Sequence, residues 1–264
     1  MLYTVALRKM QAENTAPIQY YLDTNNAVIN VNQLLEKDIE ISFDHYQCMG
    51  CGKDKKLFRN GYCYDCFYKL PQAADWIIKP ELSKAHLGIE DRDLDYEKSV
   101  QLKPHIVYLA NSSNIKVGVT RKSQVPTRWI DQGAHEALEI IEVPNRYLAG
   151  IAEIALKKFV SDKTNWRKML TNSVEDVVLA DWRDKLKQHL PEEVKDYFIA
   201  TNTKTALEFP VIKYPEKVKS LNLTKTPNYK GKLIGIKGQY LLFEDNTVFN
   251  VRSHEGCVIR LVIG

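Results

Sequence analysis

The chain has 264 residues, of which 44% are hydrophobic, 27% charged and 10% aromatic, so it is long enough for a full core and disorder is excluded as its main state. The formal net charge of +4 permits a nucleic-acid partner without requiring one. No stretch approaches the roughly 18 apolar residues that span a bilayer, and the N-terminal residues lack the basic and apolar segments of a secretory signal. We therefore expect a soluble cytoplasmic protein of two or three compact units, whose oligomeric state the sequence does not predict.

Residues 1–44 predict short β-strands. Runs rich in Val, Ile and Tyr, such as PIQYYLD, AVINV and DIEISF, alternate with Asn and Asp turn residues. The strings at 28–31 and 39–42 resemble those at 248–251 and 258–261. This similarity has two interpretations: a duplicated small β unit, or two chain ends that pair in one small antiparallel barrel.

Four of the five cysteines form two matched Cys-x-x-Cys pairs, Cys48 with Cys51 and Cys63 with Cys66. Each such turn brings two thiolates within reach of one ion, and two turns close a tetrahedral site. Two disulfides would need an oxidising compartment, and a redox pair would normally stand alone ahead of a helix. We therefore predict a structural zinc ion in a knuckle over residues 45–70, with Gly50 and Gly61 allowing its tight turns. Cys257, in CVIRLVI, is predicted to be a buried strand residue.

The rest of the chain predicts a connector, an αβ core and a second β segment. Residues 71–103 read as an irregular, locally acidic connector. In the core, HIVYLAN and NIKVGVT read as paired strands, Pro126 starts a short helix, and HEALEIIEV is a third strand. Three helices follow, over residues 146–160, 173–190 and 191–200, the second with Asp176 as its capping acid.

The predicted fold class is α+β. It combines a small antiparallel β module built from both termini (1–44 and 204–264), the four-cysteine zinc knuckle (45–70), and an αβ core with its following helices (104–203). The connector (71–103) joins the knuckle to the core.

The stretch HIVYLANSSNIKVGVTRKSQVPTRWIDQGA resembles the core of the GIY-YIG superfamily. There, a first strand ends in a tyrosine motif, a second strand carries a glycine-terminated motif, a short helix supplies an arginine and a longer helix a glutamate. The corresponding positions here are Tyr108, Lys116 with Gly118, Arg128 and Glu153, followed by Asn165 as the candidate for a later asparagine. The core is thus expected to be GIY-YIG-like.

More closely, the strings PHIVYLA, KVGVTR and PTRWIDQGA resemble a widespread bacterial family of uncharacterised function in which cysteine knuckles precede this core. That resemblance runs from about Cys48 to Ala152.

The superfamily resemblance implies a phosphodiester-cleaving site. Glu153 would hold a divalent metal, Mg²⁺ or Mn²⁺, Arg128 would offset charge in the transition state, and Tyr108 would help to deprotonate the attacking water. Lys116 stands where a second tyrosine is expected, and a lysine is not a base at neutral pH unless its pKa is strongly lowered. Each residue also has a plainer interpretation. Tyr108 can be an ordinary strand aromatic, Arg128 an ion-pair residue on a helix rim, and Glu153 a polar residue on an apolar helix.

A lysine-rich span near the C-terminus points to nucleic acid. It contains Lys213, Lys217, Lys219, Lys225, Lys230, Lys232 and Lys237, with Tyr214 and Tyr229 among them. Lysines contact phosphates and aromatic rings stack on unpaired bases, although a lysine-rich loop also keeps a protein soluble. We therefore predict a zinc-containing protein that interacts with DNA or RNA, with nuclease activity as its enzymatic interpretation. Non-catalytic nucleic-acid binding and a protein-interaction adaptor are the alternatives.

Overall fold

The structure is a computed structural model that describes residues 1–161 and 163–264. Within these residues it contains fourteen strands and six α-helices. The strands are β1 (Leu2–Ala6), β2 (Gln11–Glu13), β3 (Gln19–Asp23), β4 (Val28–Asn30), β5 (Asp38–Tyr46), β6 (His105–Asn111), β7 (Ile115–Arg121), β8 (Glu136–Val143), β9 (Lys204–Ala206), β10 (Lys219–Ser220), β11 (Asn228–Lys237), β12 (Tyr240–Phe243), β13 (Thr247–Asn250) and β14 (Cys257–Ile263). The helices are α1 (Tyr64–Lys69), α2 (Leu94–Gln101), α3 (Thr127–Asp131), α4 (Arg146–Leu156), α5 (Trp166–Leu170) and α6 (Leu179–Lys187). The predicted α+β class is confirmed.

The chain divides into two compact units. The β unit comprises Met1–Tyr68, Leu170–Asn172 and Leu207–Gly264, and the αβ unit comprises Lys69–Met169 and Ser173–Ala206. The αβ unit is thus inserted in the sequence of the β unit.

The β unit is built on a seven-stranded sheet of order β1–β14–β5–β11–β12–β13–β10. Because β14 pairs antiparallel with both β1 and β5, the first and last strands of the chain share one sheet. The pairing of β10 with β13 is parallel, so this module is not wholly antiparallel as predicted. Strands β2, β3 and β4 form a separate three-stranded sheet.

One order of elements occurs twice in the β unit. Strands β2, β3 and β4 are followed by a 3-10 helix (Val31–Leu34) and β5, while β11, β12 and β13 are followed by a 3-10 helix (Arg252–His254) and β14. The two closing strands pair with each other, with Ile41 opposite Leu261. This repetition agrees with the duplication hypothesis, while the pairing of β1 with β14 agrees with the alternative that the two chain ends pair.

The αβ unit is built on an antiparallel four-stranded sheet of order β7–β6–β8–β9. Every residue of β6 is buried, as expected for a central strand whose sequence is a nearly continuous apolar run. Helix α4 packs on this sheet through Ala149, Ala152 and Leu156, which recur at helical spacing and belong to one core with Val107 and Val117. The predicted strands β6, β7 and β8 and helix α4 therefore have the expected type and place, although α4 ends at Leu156 and not at residue 160.

Three predicted elements of this unit are wrong. The connector contains α2 and several 3-10 turns; Asp93 caps α2 by accepting the N–H of Tyr96 at 2.9 Å. The helix predicted over 173–190 begins only at Leu179, because Glu175 donates its N–H to the carbonyl of Ser113 at 2.9 Å in a non-helical segment. Residues 191–200 contain a 3-10 helix (Glu192–Tyr197) instead of an α-helix.

Candidate metal centre and the Arg128 cluster

The four knuckle cysteines come together in the β unit. The Sγ atoms of Cys48, Cys51, Cys63 and Cys66 all lie within 4.8 Å of one another. Four thiolates around zinc, with Zn–S bonds of about 2.3 Å, are separated by about 3.8 Å, so a small contraction closes the site. An all-sulfur ligand set suits zinc and not Mg²⁺ or Ca²⁺. The cysteines are therefore positioned to hold a metal ion such as zinc.

Two turns and a helix position these thiols. Cys48 follows β5, and the N–H of Met49 donates to the carbonyl of Gly61 at 2.8 Å, which ties the two turns together. The N–H of Cys63 donates to Cys48 Sγ at 3.2 Å. Gly61 has a left-handed backbone with φ of 77°, but in the first turn the left-handed glycine is Gly52, with φ of 67°, and not Gly50 as expected.

The thiols of the metal-free site differ in acidity. Burial raises the pKa of Cys48, but the N–H donors of Cys63, Cys51 and Gly50 outweigh burial and lower this pKa to about 6. Burial and hydrogen bonds with the other three cysteines raise the pKa of Cys66 to about 12. The lowered pKa of Cys48 favours its thiolate, the form that binds a metal ion, whereas a metal must displace the proton of Cys66.

In the αβ unit, Tyr108 lies at the centre of a polar cluster, which we call the Arg128 cluster and define as Tyr108, Arg128, Gln132, Arg146 and Glu153. The Tyr108 side chain is fully buried, at 0% exposure. Its hydroxyl donates to Gln132 Oε1 at 3.0 Å. The ring packs over Gly118 of β7, where an added Cβ would stand 2.6 Å from Tyr108 Oη. Gly118 therefore makes room for the phenol.

The charges around Tyr108 show which residues are its neighbours. Burial raises the pKa of Tyr108, the charge of Arg128 and a hydrogen bond with its guanidinium lower this pKa, and the negative charge of Glu153 raises it. Burial likewise lowers the pKa of Arg146 to about 10, while the charges of Glu153 and Glu81 raise it. Arg146 also donates to the carbonyl of Ile77 at 2.7 Å. A phenol, two guanidinium groups and a carboxylate thus lie close together.

The structure brings together Tyr108, Arg128 and Glu153 of the five predicted catalytic positions. Arg128 and Glu153 are partly exposed, whereas the phenol of Tyr108 is enclosed and is not open to solvent. Lys116, 3% exposed, donates from Nζ to Thr164 Oγ1 at 2.7 Å. Asn165 is exposed and caps α5, because its Oδ1 accepts the N–H of Lys168 at 3.2 Å. These contacts connect Lys116 and Asn165 to the chain around α5.

Gln132 and Arg146 are members of the cluster that the sequence analysis missed. Gln132 follows Arg128 by four residues, the spacing that places two side chains on the same face of a helix. This spacing could have predicted that Gln132 lies beside Arg128. Arg146 opens α4 directly after its capping residue Asn145; nothing in the sequence distinguishes it from a surface arginine.

The lysine-rich span is only partly available to a ligand. Lys237 is fully buried, with Nζ 5.0 Å from the ring centre of Tyr214 and 3.2 Å from Asn172 Oδ1. Burial lowers the pKa of Lys237 to about 7. Tyr229 donates to Asp245 Oδ1 at 3.0 Å and packs on Phe243. The interpretation of Lys237 as a phosphate contact is therefore wrong, while the exposed members of the span are Lys213, Lys217, Lys219, Lys225 and Lys230.

A family model described as protein of unknown function (DUF2797) matches residues 36–259, which include the knuckle and the Arg128 cluster. Because the match covers most of the chain, the protein belongs to this family. No curated protein and no solved structure gives a match. Among the described residues, no helix has the length and apolar character needed to cross a membrane.

Proposed function

We propose that this chain is a zinc-containing nucleic-acid-binding protein whose αβ unit is GIY-YIG-like and contacts the phosphodiester backbone through Arg128. The observation that carries the proposal is that Arg128 and Glu153 both lie near the hydroxyl of Tyr108. The superfamily resemblance assigns these three residues to one site. The order β6, β7, α3, α4 also agrees with the two strands, short helix and longer helix that the resemblance implies, with β8 lying between the two helices.

The Arg128 cluster has the chemistry of a phosphate site. A guanidinium presents a planar set of donors that matches two phosphate oxygens. Besides burial, the positive charges of Arg128 and Arg121 lower the pKa of Arg146, so three guanidinium groups act on the same region. The Glu153 carboxylate offers the hard oxygen ligand that Mg²⁺ and Mn²⁺ prefer.

Binding ranks ahead of cleavage because the cluster lacks an evident base. The pKa of Tyr108 is raised by burial and its hydroxyl donates to Gln132, so the phenol keeps its proton at neutral pH. Metal-dependent phosphodiesterase activity is the second candidate. It is favoured by the carboxylate of Glu153, which lies near the same phenol as Arg128, since a metal ion and a guanidinium could then act on the same phosphate.

The binding proposal is tested by fluorescence anisotropy with labelled duplex DNA and structured RNA over a salt series. We expect the logarithm of affinity to fall linearly with the logarithm of salt concentration. Arg128→Gln should weaken binding by about 10-fold or more, as for the loss of a charged hydrogen bond, whereas Arg260→Gln, an exposed arginine of the β unit, should not. No binding at low salt, or equal affinities of the two variants, would contradict the proposal.

Cleavage is tested on the same nucleic acids with Mg²⁺ or Mn²⁺. The second candidate requires metal-dependent cleavage that Glu153→Gln abolishes and that Glu193→Gln, at an exposed site, retains. Circular dichroism of both variants checks that they are folded. If the native protein binds nucleic acid but cleaves it with neither metal, the nuclease hypothesis is excluded and the binding proposal stands.

A further inference from the structure

An aromatic and basic surface covers the zinc knuckle of the β unit. We call it the knuckle surface and define it as Lys53, Lys56, Phe58, Arg59, Tyr64, Phe67 and Tyr68. The four rings contact one another, with centroids 4.8 to 5.8 Å apart. Helix α1, which carries three of them, has no buried residue. These rings therefore do not build a core.

The exposure of the rings is unusual for side chains of their size. Phe58 is 41% exposed, Tyr64 62% and Tyr68 52%. Large apolar groups are normally withdrawn from water, and a contiguous exposed patch of them marks an interaction site. Tyr64 and Tyr68 are four residues apart on α1, so their rings stand side by side with centroids 4.8 Å apart. Together they form a platform that solvent reaches.

The chain segment next to this platform in the sequence is positively charged. Lys53, Lys55, Lys56 and Arg59 face only two acids in the same segment, Asp54 and Asp65. Asp65 pairs with Lys55 at 3.4 Å and Asp54 lies 3.5 Å from His45 Nε2. The remaining three cations are exposed, and the Arg59 guanidinium lies 5.3 Å from the ring centre of Phe58.

Exposed aromatic rings next to positive charges suit a single-stranded nucleic acid as the partner. Unpaired bases stack on aromatic side chains whatever the sequence, and lysine and arginine contact the connecting phosphates. Duplex nucleic acid offers the phosphates but keeps its base faces stacked inside. A protein partner would need acidic groups around an apolar centre, and it would accept leucine in place of tyrosine.

We propose that the knuckle surface binds single-stranded DNA or RNA, with Tyr64 and Tyr68 stacking on bases and Lys53, Lys56 and Arg59 contacting the backbone. This inference rests on the proposed function, in which the partner is a nucleic acid, and it specifies that the nucleic acid is single-stranded. None of these residues belongs to the Arg128 cluster, so either proposal can fail without the other.

The test measures binding of labelled oligo(dT), oligo(U) and a duplex by the full-length zinc-loaded protein. In the double variant Tyr64→Leu with Tyr68→Leu, the apolar surface remains but stacking is lost, and we expect single-strand affinity to fall by about 25-fold or more, from roughly fivefold per ring. Tyr64→Phe with Tyr68→Phe keeps both rings and should bind like the native protein. Tyr197→Leu, a partly exposed tyrosine of the αβ unit, is the matched control, and zinc content checks that each variant is loaded.

The electrostatic part is tested by Lys53→Gln with Lys56→Gln. Each phosphate contact contributes about 0.7 to the slope of the logarithm of affinity against the logarithm of salt for single strands, so the slope should fall by about 1.4. The ratio of affinities for oligo(dT) and oligo(U) tells which sugar is preferred, and binding of either supports the proposal.

Three outcomes would overturn it. Leucine variants that bind single strands like the native protein would show that the rings do not stack on bases and would leave a protein as the partner. Equal losses for duplex and single strands would show general charge attraction only. If Arg128→Gln abolishes single-strand binding while the leucine variants keep it, the knuckle proposal fails and the proposed function stands.

Discussion

A methyl group added at Gly118 would collide with the Tyr108 ring. The ideal Cβ lies 2.6 Å from Tyr108 Oη and 2.7 Å from Cζ, whereas carbon atoms in contact are separated by about 3.5–4.0 Å. The overlap is therefore roughly 1 Å. Because Tyr108 is fully buried and its hydroxyl is held by Gln132 at 3.0 Å, the ring has no free space to occupy.

Overpacking of this kind costs about 1–3 kcal/mol, while replacing a strand glycine by alanine returns about 0.5–1 kcal/mol. We expect Gly118→Ala to lower the free energy of unfolding by about 1–2 kcal/mol and to move the phenol away from Gln132. In a Tyr108→Leu background the ring is absent, so the same substitution should be neutral or stabilising by about 0.5–1 kcal/mol. The coupling between the two sites is then about 2 kcal/mol.

Urea unfolding of the four proteins of this double-mutant cycle measures the coupling directly. Tyr108→Phe is the control background, because it keeps the ring carbons and should keep most of the cost of Gly118→Ala. If Gly118→Ala costs the same with tyrosine and with leucine at position 108, the phenol does not pack over Gly118. The geometry assigned to the Arg128 cluster would then be wrong.

Three further predictions concern metal, pH and packing. Chelation should release one zinc ion per chain and unfold the 45–70 segment, because α1 buries no side chain of its own; hydrogen exchange measures this. Burial lowers the pKa of Lys237 to about 7 from 10.5, so between these values the unfolded chain binds a proton that the folded chain lacks. The free energy of unfolding should therefore rise with pH in this window, by up to about 1.4 kcal/mol per pH unit, and Lys237→Met should remove that rise. Gly150→Ala should destabilise the αβ unit by about 2 kcal/mol, because its Cβ would meet backbone atoms, with Pro80 C at 2.6 Å and Glu81 Cα at 2.8 Å.

Each of these predictions has a contradicting result. Unchanged exchange in 45–70 after complete metal removal would exclude a structural role for the site. Parallel stability curves of the native protein and Lys237→Met from pH 7 to 10 would mean that this amine titrates alike in both states. Stabilisation by Gly150→Ala, as expected for an unhindered helix position, would show that the contact with residues 80–81 is not tight.

The elements that the sequence predicted best are those with one dominant signal. HIVYLAN corresponds to β6 without error, because a strand buried on both faces is a continuous apolar run. The cysteine cluster follows from spacing alone. Helix α2 was missed because its acidic residues suggested a solvated connector; in the structure Glu97 is buried and accepts the N–H of Arg92 at 2.7 Å. The capping pattern is thus local, but in the sequence it cannot be told from surface charge.

The misjudged residues depend on distant parts of the chain. The lysine-rich sequence predicts an exposed Lys237, yet the end of β11 from Leu233 to Lys237 is buried at every position, so strand alternation carries no information there. Its burial comes from Phe209 and Tyr214 and from Asn172. The start of α6 likewise depends on the bond from Glu175 to Ser113. No local pattern encodes such contacts.

The pairing of β5 with β14 sets an order of events during synthesis on the ribosome. Tyr46 of β5 pairs with Cys257 of β14. At about 5–20 residues per second, Cys257 is synthesised roughly 10–40 s after Tyr46. The other partner of β5, which is β11, also emerges late, so for most of that interval both sides of β5 are open edges able to pair with other nascent chains. The inserted αβ unit, whose sheet uses only residues 105–206, has all its strands before then. We therefore expect the β unit to be the late-folding and aggregation-prone part of the protein in the cell.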